Sequence, residues 1–248
     1  MMPDSPSGGM LPGRDRLLSS PEGRKPALSF GHAVSAMVFM AAFLGLLWII
    51  QIVNWADSYR LNTRFDIVPG SESHLLDIFT APFLHVTWEH LEGNSIPLLV
   101  LGFLAAYRGI GKFLAVTVIV MVISGLAVWL FQAHNEPTVG ASGLIFGYFG
   151  YVLVRGLFDR NFLDATVGVL AAIAYAYILT VAIPGTPGVS WIGHAGGLAG
   201  GVLAGWVLRA RRPARPLGPA RTAVSGKASS KVGGARAALH KELDDLGL

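Results

Sequence analysis

Six predominantly apolar blocks, about 33–53, 88–106, 113–131, 140–154, 164–183 and 190–208, constrain this chain more than anything else in it. A helix rises about 1.5 Å per residue, so about 20 residues cross the roughly 30 Å hydrocarbon layer of a bilayer. The blocks lack the 3.6-residue amphipathic stripe of a soluble helix. Charged residues make up 14% of the chain, where a soluble domain carries about 25%. The expected fold class is therefore an all-α membrane protein. The first block starts too late and runs too long for a cleaved signal peptide. With no cysteine, disulfide frameworks, thiolate metal sites and a cysteine nucleophile are excluded.

Between the blocks the composition changes. Residues 1–30 are rich in Pro, Gly and Ser, and residues 210–248 are basic. Both are expected to be disordered tails, the second with a short helix near its end. Residues 54–84 are too polar to span but hold enough Leu, Ile and Phe to lie in the interface. The net charge of +4 is a matter of topology, and no nucleic-acid partner is expected. With the N-terminus in the cytoplasm, six spans leave only Arg60 and Arg64 outside, of nineteen Lys and Arg. The opposite orientation would invert that ratio. The positive-inside rule thus predicts N-in, C-in.

Spans two, four and six then run from outside to inside, each with a basic residue at or just past its inner end: Arg108, Arg155 and Arg209. Helical rise puts Ser142 about 20 Å above Arg155, Asn94 about 21 Å above Arg108 and His194 about 22 Å above Arg209. His90 lies one turn above Asn94. Four polar side chains on three parallel helices thus share a level roughly 10 Å below the outer hydrocarbon boundary. Span four is too short to reach the outer surface. Either a loop dips in or water comes down to Ser142, since non-helical backbone at that depth needs polar partners. A hydrolase within a bilayer needs the same water-filled cavity.

Three stretches carry the chemistry. Gly140-Ala141-Ser142-Gly143 opens span four, where unpaired N–H groups and the positive end of the helix dipole gather. Taken alone, such small residues more often mark close helix packing. In WIGHAGGLAGGVLAG (191–205), His194 precedes Gly197, Gly201 and Gly205 on one face, opposite the small residues Gly143, Gly147 and Gly150. Close approach of the two faces would bring His194 within about 2.6–3.2 Å of Ser142. The competing reading is a buried histidine bonded across helices. In HVTWEHLEGN (85–94), His90 and Asn94 share a face at i and i+4. Both can donate hydrogen bonds to an oxyanion. Paired histidines also suggest a metal site, but no carboxylate shares their face with good spacing and His85 belongs to the entry loop, so no metal is expected. No acid completes a triad: Asp159 and Asp164 belong to the inner end, and Glu92 lies about 200° around the helix from His90. The arrangement is a Ser–His dyad, with Phe146 one turn below the serine placed to pack on the imidazole.

These residues resemble the signature of the rhomboid intramembrane serine proteases. That family carries a GxSG serine on its fourth core span, here Ser142. It has a histidine ahead of a glycine stripe on the sixth, here His194 with Gly197 and Gly201. An HxxxxHxxxN array lies at the second, here His85, His90 and Asn94. The resemblance covers about residues 33–209 in order, spacing and topology. It implies a six-transmembrane-helix rhomboid-like bundle with a short central fourth helix, and a dyad opening to the extracytoplasmic side, expected in a bacterial plasma membrane. It implies Ser142 as nucleophile, His194 as general base and then acid, and His90, Asn94 and backbone N–H groups near Ser142, Gly140 included, as oxyanion donors. His85, Gly143, Phe146, Gly197 and Gly201 would support them. No cofactor is implied. Partners would be the lipid bilayer and single-span membrane proteins, entering laterally. The 54–84 segment would be a half-submerged first loop, with span five and the 183–190 loop as gate and cover.

There are departures from the family pattern. The Trp-Arg pair of the first loop is replaced by Leu76-Asp77, the aromatic after the serine is Phe146 where Tyr is common, and Glu92 stands at a position expected to be apolar. Two other functions compete with the protease. An inactive rhomboid-like protein that binds membrane clients would normally lack the serine or the histidine. A small transporter would commonly show internal repeats, and none is found.

Overall fold

The computed structural model describes residues 30–185 and 188–209. The helices are α1 (Phe30–Ala56), α2 (Arg60–Phe65), α3 (Trp88–Ala106), α4 (Ile110–Phe131), α5 (Ser142–Asp159), α6 (Phe162–Tyr175) and α7 (Trp191–Val207). Short 3-10 segments occupy Glu72–Phe79, Ala81–Phe83 and Ala176–Ala182. The described residues contain no strand, only an isolated antiparallel bridge between Ile67 and Thr138. The expected tails, from residue 29 backward and from residue 210 onward, lie outside the described residues. So do Thr186 and Pro187 of the expected covering loop.

Among the described residues, three helical stretches are long and apolar enough to cross a membrane: Phe30–Ala56, Ile110–Phe131 and Phe162–Thr180. The other expected spans correspond to α3, α5 and α7, which carry the polar groups and are buried by their neighbours. Helix starts follow side-chain chemistry. Thr87 accepts from His90 N at α3, Asn161 from Leu163 N and Asp164 N at α6, and Ser190 from Gly193 N at α7. Helix α5 has no such cap, because Ala141 precedes it. Its first N–H groups are therefore not consumed by a side chain.

Helix α5 is the centre of the bundle, touching α3, α4, α6 and α7, and its closest partner is α7. Absent side chains make this possible. A Cβ on Gly197 would collide with the Gly143 carbonyl oxygen, and one on Gly201 with the Gly147 carbonyl oxygen. One on Gly150 would stand 2.7 Å from the Leu198 carbonyl oxygen. The glycine faces read from the sequence do interlock.

Two expected boundaries change. Span four, expected at about 140–154, continues as α5 to Asp159, where Arg160 ends it in the left-handed region (φ 49°). Span five, expected as one helix to about 183, loosens into a 3-10 segment after Tyr175. Arg155 therefore does not mark the inner end of its helix. It is 1% exposed, donating to Leu104 O at 2.9 Å and pairing with Asp164 at 3.0 Å. Arg108 meets the other Asp164 oxygen at 2.8 Å, and Tyr107 Oη donates to Asp164 at 3.0 Å. One buried carboxylate thus ties the start of α6 to α5 and to the α3–α4 turn. A buried charge is stable only when paired and hydrogen-bonded in this way.

The segment between α1 and α3 is ordered by contacts with the chain ahead of α5. Ile67 and Thr138 exchange backbone hydrogen bonds of 3.0 and 3.1 Å, and Trp129 Nε1 donates to Ser71 O at 2.9 Å. Asp77, which replaces the arginine of the family pattern, lies 2.8 Å from His74 Nδ1 and also receives Thr80 Oγ1. Asp66, beside the same histidine, has its carboxyl pKa raised by burial. Leu76 and Phe79 face outward.

Candidate active site

Ser142 is the first residue of α5, entered through Gly140 at φ +131°. That backbone conformation suits glycine alone, and a Cβ there would sit 2.7 Å from His90 Cε1. His194 lies one turn into α7, 5% exposed. Its Nε2 is 2.8 Å from Ser142 Oγ. Phe146 stacks on the imidazole with ring centroids 4.3 Å apart and planes 10° apart. The Gly143–Gly197 and Gly147–Gly201 contacts lie immediately below, so backbone approach sets the serine–histidine distance.

Across the cavity, α3 brings His90 and Asn94 to the same space. A cavity of about 930 Å³ is lined by both of them with Ser142, Phe146, His194 and the 3-10 residue Tyr177. Its wall between α3 and the 3-10 segment is formed by Gly93 and Pro97 on one side and by Tyr177, Ile178 and Thr180 on the other. His85 is fully buried just before α3, its ring edge-on to His90 at 5.0 Å. Burial, and then the neighbouring His90, push the His85 pKa down to about 3.

Gly140 differs from its expected place as a donor. Its N–H donates to Ala81 O at 3.0 Å, and the Ala141 N–H points to His85 Nε2 at 3.4 Å. Both are turned into the protein because the segment 138–141 is strung along the loop between α1 and α3. Backbone donors facing the cavity must come from the first turn of α5 itself, where no preceding carbonyl takes the N–H groups of Ser142 and Gly143. Glycine at 140 serves through its positive φ and the room it leaves for His90.

Other residues of the site were not foreseen from the sequence. Ser124 on α4 donates to Gly193 O at 2.7 Å and lies against Gly143, pinning the histidine turn of α7 to α4. Ser190 donates to Gln132 Oε1, and Gln132 Nε2 donates at 2.7 Å to both Thr138 Oγ1 and Glu136 O. The cap of α7 is thereby fastened to the approach to Ser142. A serine ahead of a helix is a readable cap signal, whereas Gln132 and Ser124 carry no local pattern. Among the described residues no group of His, Asp and Glu side chains could hold a metal ion.

Comparison with known proteins agrees with this architecture. The family model described as Rhomboid domain matches residues 72–211. An uncharacterized protein of Mycobacterium tuberculosis is 39% identical over 184 residues, covering 71% of this chain and 76% of its own. An uncharacterized protein of Mycobacterium leprae is 36% identical over 225 residues, covering 85% and 89%. The rhomboid protease GluP of Bacillus subtilis is 31% identical over 137 residues, covering 53% of this chain and 25% of that protein.

Proposed function

The chain belongs to the rhomboid family, and from that premise we propose that it is an intramembrane serine endopeptidase. Its substrates are single-span membrane proteins, cut within or near the transmembrane segment. The observation that carries this reading is the 2.8 Å contact between Ser142 Oγ and His194 Nε2 at the floor of a cavity large enough for a peptide. With Nδ1 protonated, Nε2 accepts the Ser142 hydroxyl proton as Oγ attacks the scissile carbonyl carbon. The resulting oxyanion is held by His90, Asn94 and N–H groups of the first turn of α5. His194 then returns the proton to the leaving amine, and an acyl-enzyme ester remains on Ser142. Water, deprotonated by His194, releases the second product and restores the serine. The stack of Phe146 helps keep the imidazole plane in register.

The protease domain is 31–209, in six spans with both termini cytoplasmic and the cavity open to the extracytoplasmic side of a plasma membrane. The distribution of Lys and Arg supports this orientation. The substrate enters from the lipid between α3 and the 3-10 segment after α6, whose residues line the cavity on that side. The test compares wild type with Ser142→Ala and His194→Ala on a single-span substrate, with fluorophosphonate labelling alongside. Cleavage and labelling by wild type alone are expected. Equal cleavage by all three would end the dyad reading. Failure of wild type both to cut and to label would leave a rhomboid-like protein that binds its clients.

A further inference from the structure

Two hydrogen bonds converge on one buried nitrogen. His85 Nε2 lies 3.4 Å from Ala141 N and 3.1 Å from Asn94 Nδ2. A backbone N–H can only donate, so Nε2 must offer its lone pair and the ring proton must sit on Nδ1. Nδ1 has no hydrogen-bond partner among the described residues, so the contacts at Nε2 alone decide the tautomer. The same logic then fixes the Asn94 side chain, whose oxygen and nitrogen are otherwise interchangeable in shape. Facing a lone pair, it must present its NH₂ group. One N–H of that group is engaged by His85, and the other remains for the cavity that Asn94 lines.

The ring cannot swing away from this task. It is 0% exposed and stands edge-on to His90. Its own carbonyl accepts from Asn62 Nδ2 at 3.2 Å, and Asn62 Oδ1 accepts from Asn54 Nδ2 of α1 at 2.9 Å. A polar chain thus runs from α1 through the first loop to the two elements that meet at the cavity. We infer that His85 is a positioning residue, a single-tautomer acceptor that turns the Asn94 amide toward the reacting carbonyl and holds the Ala141 N–H at the head of α5. This rests on the protease reading for its consequence, though not for its geometry. Without the acceptor, Asn94 can rotate by half a turn and offer its oxygen to an oxyanion, which repels it.

The geometry is tested first, and without activity. Full-length Ser142→Ala protein labelled with ¹⁵N-histidine in detergent should show His85 with Nδ1 protonated and Nε2 unprotonated, and Asn94→Ala should move the Nε2 signal. An Nε2-protonated ring, or a mixture of tautomers, would overturn the inference. The consequence is tested by kinetics. His85→Leu should lower kcat by about 10- to 100-fold, less than the roughly 100- to 1000-fold typical of losing a donor outright. KM should stay within about threefold, as for an interaction made only in the transition state. His85→Gln, whose Oε1 reaches the place of Nε2, should recover to within about fivefold of wild type on the same logic. In the Asn94→Ala background His85→Leu should cost less than it does alone, because only its hold on the Ala141 N–H is left to lose. Full additivity, or equal loss with Gln and Leu, would overturn the inference. Wild-type protein that neither cuts nor labels would instead refute the protease reading, and the tautomer spectrum would still decide His85.

Discussion

At the scale of single residues, the site is built from orientation more than from unusual groups. Phe146 stacks on the His194 imidazole, a contact worth about 0.5–1.5 kcal/mol beyond its buried area. Phe146→Ala should therefore lower kcat by about 3- to 10-fold while fluorophosphonate still reacts, and Phe146→Tyr should be close to wild type. Initial rates on a single-span substrate measure both. His85 predicts a pH effect on stability. Its folded pKa of about 3 lies below the ordinary 6.5, so above that value both states are neutral and the group costs nothing. As pH falls below 6.5 the unfolded chain takes up a proton that the folded one refuses, and stability declines until about pH 3. The slope is at most about 1.4 kcal/mol per pH unit. Thermal unfolding in detergent from pH 7 to 4 should show that decline, and His85→Gln should flatten it.

At the scale of elements, the pair α5 and α7 sets the chemistry. Gly197 and Gly201 leave room for the carbonyl oxygens of Gly143 and Gly147, and that approach brings His194 to Ser142. Gly201→Ala should push the helices apart, costing about 1–3 kcal/mol by overpacking and removing most activity through a lengthened Ser142–His194 contact. Gly45→Ala on α1, where a Cβ would meet nothing, is the control and should be neutral in both melting and cleavage. The first loop acts as an element too. Its bridge to Thr138 and its hold on the Gly140 N–H shape the turn that delivers Ser142.

At the scale of the whole molecule, polar bonds stand at the two ends of the bundle, with bare backbone packing between. The end at the α3–α4 turn is locked by Asp164 with Arg108, Arg155 and Tyr107. Asp164→Ala leaves two guanidinium groups without their partner, and breaking such a buried set costs about 3–5 kcal/mol. Melting in detergent should drop accordingly, with kcat affected less than stability. Topology can be read directly because the chain has no cysteine. Single cysteines at Arg60 and Arg160, both exposed, should react with an impermeant maleimide from opposite sides of the membrane, Arg60 from outside.

Much of this was legible before any coordinates. Span two coincides with α3, the glycine faces of α5 and α7 do interlock, and Ser142, His194, His90 and Asn94 do meet at one cavity. Periodicity and hydropathy carry such information because each residue's place along a helix follows from a constant rise. The sequence by itself determined the all-helical class of the fold and the helices that carry the polar groups. Only the tertiary structure decided which N–H groups face the cavity. Gly140 and Ala141 look like donors in a linear motif, yet Ala81 O and His85 Nε2 take them. It also decided that Arg155 is buried in an ion pair instead of ending its helix at the surface. The physical reason is the same in both cases. A buried donor or charge is satisfied by whatever distant segment the fold brings to it, and no local pattern records that partner.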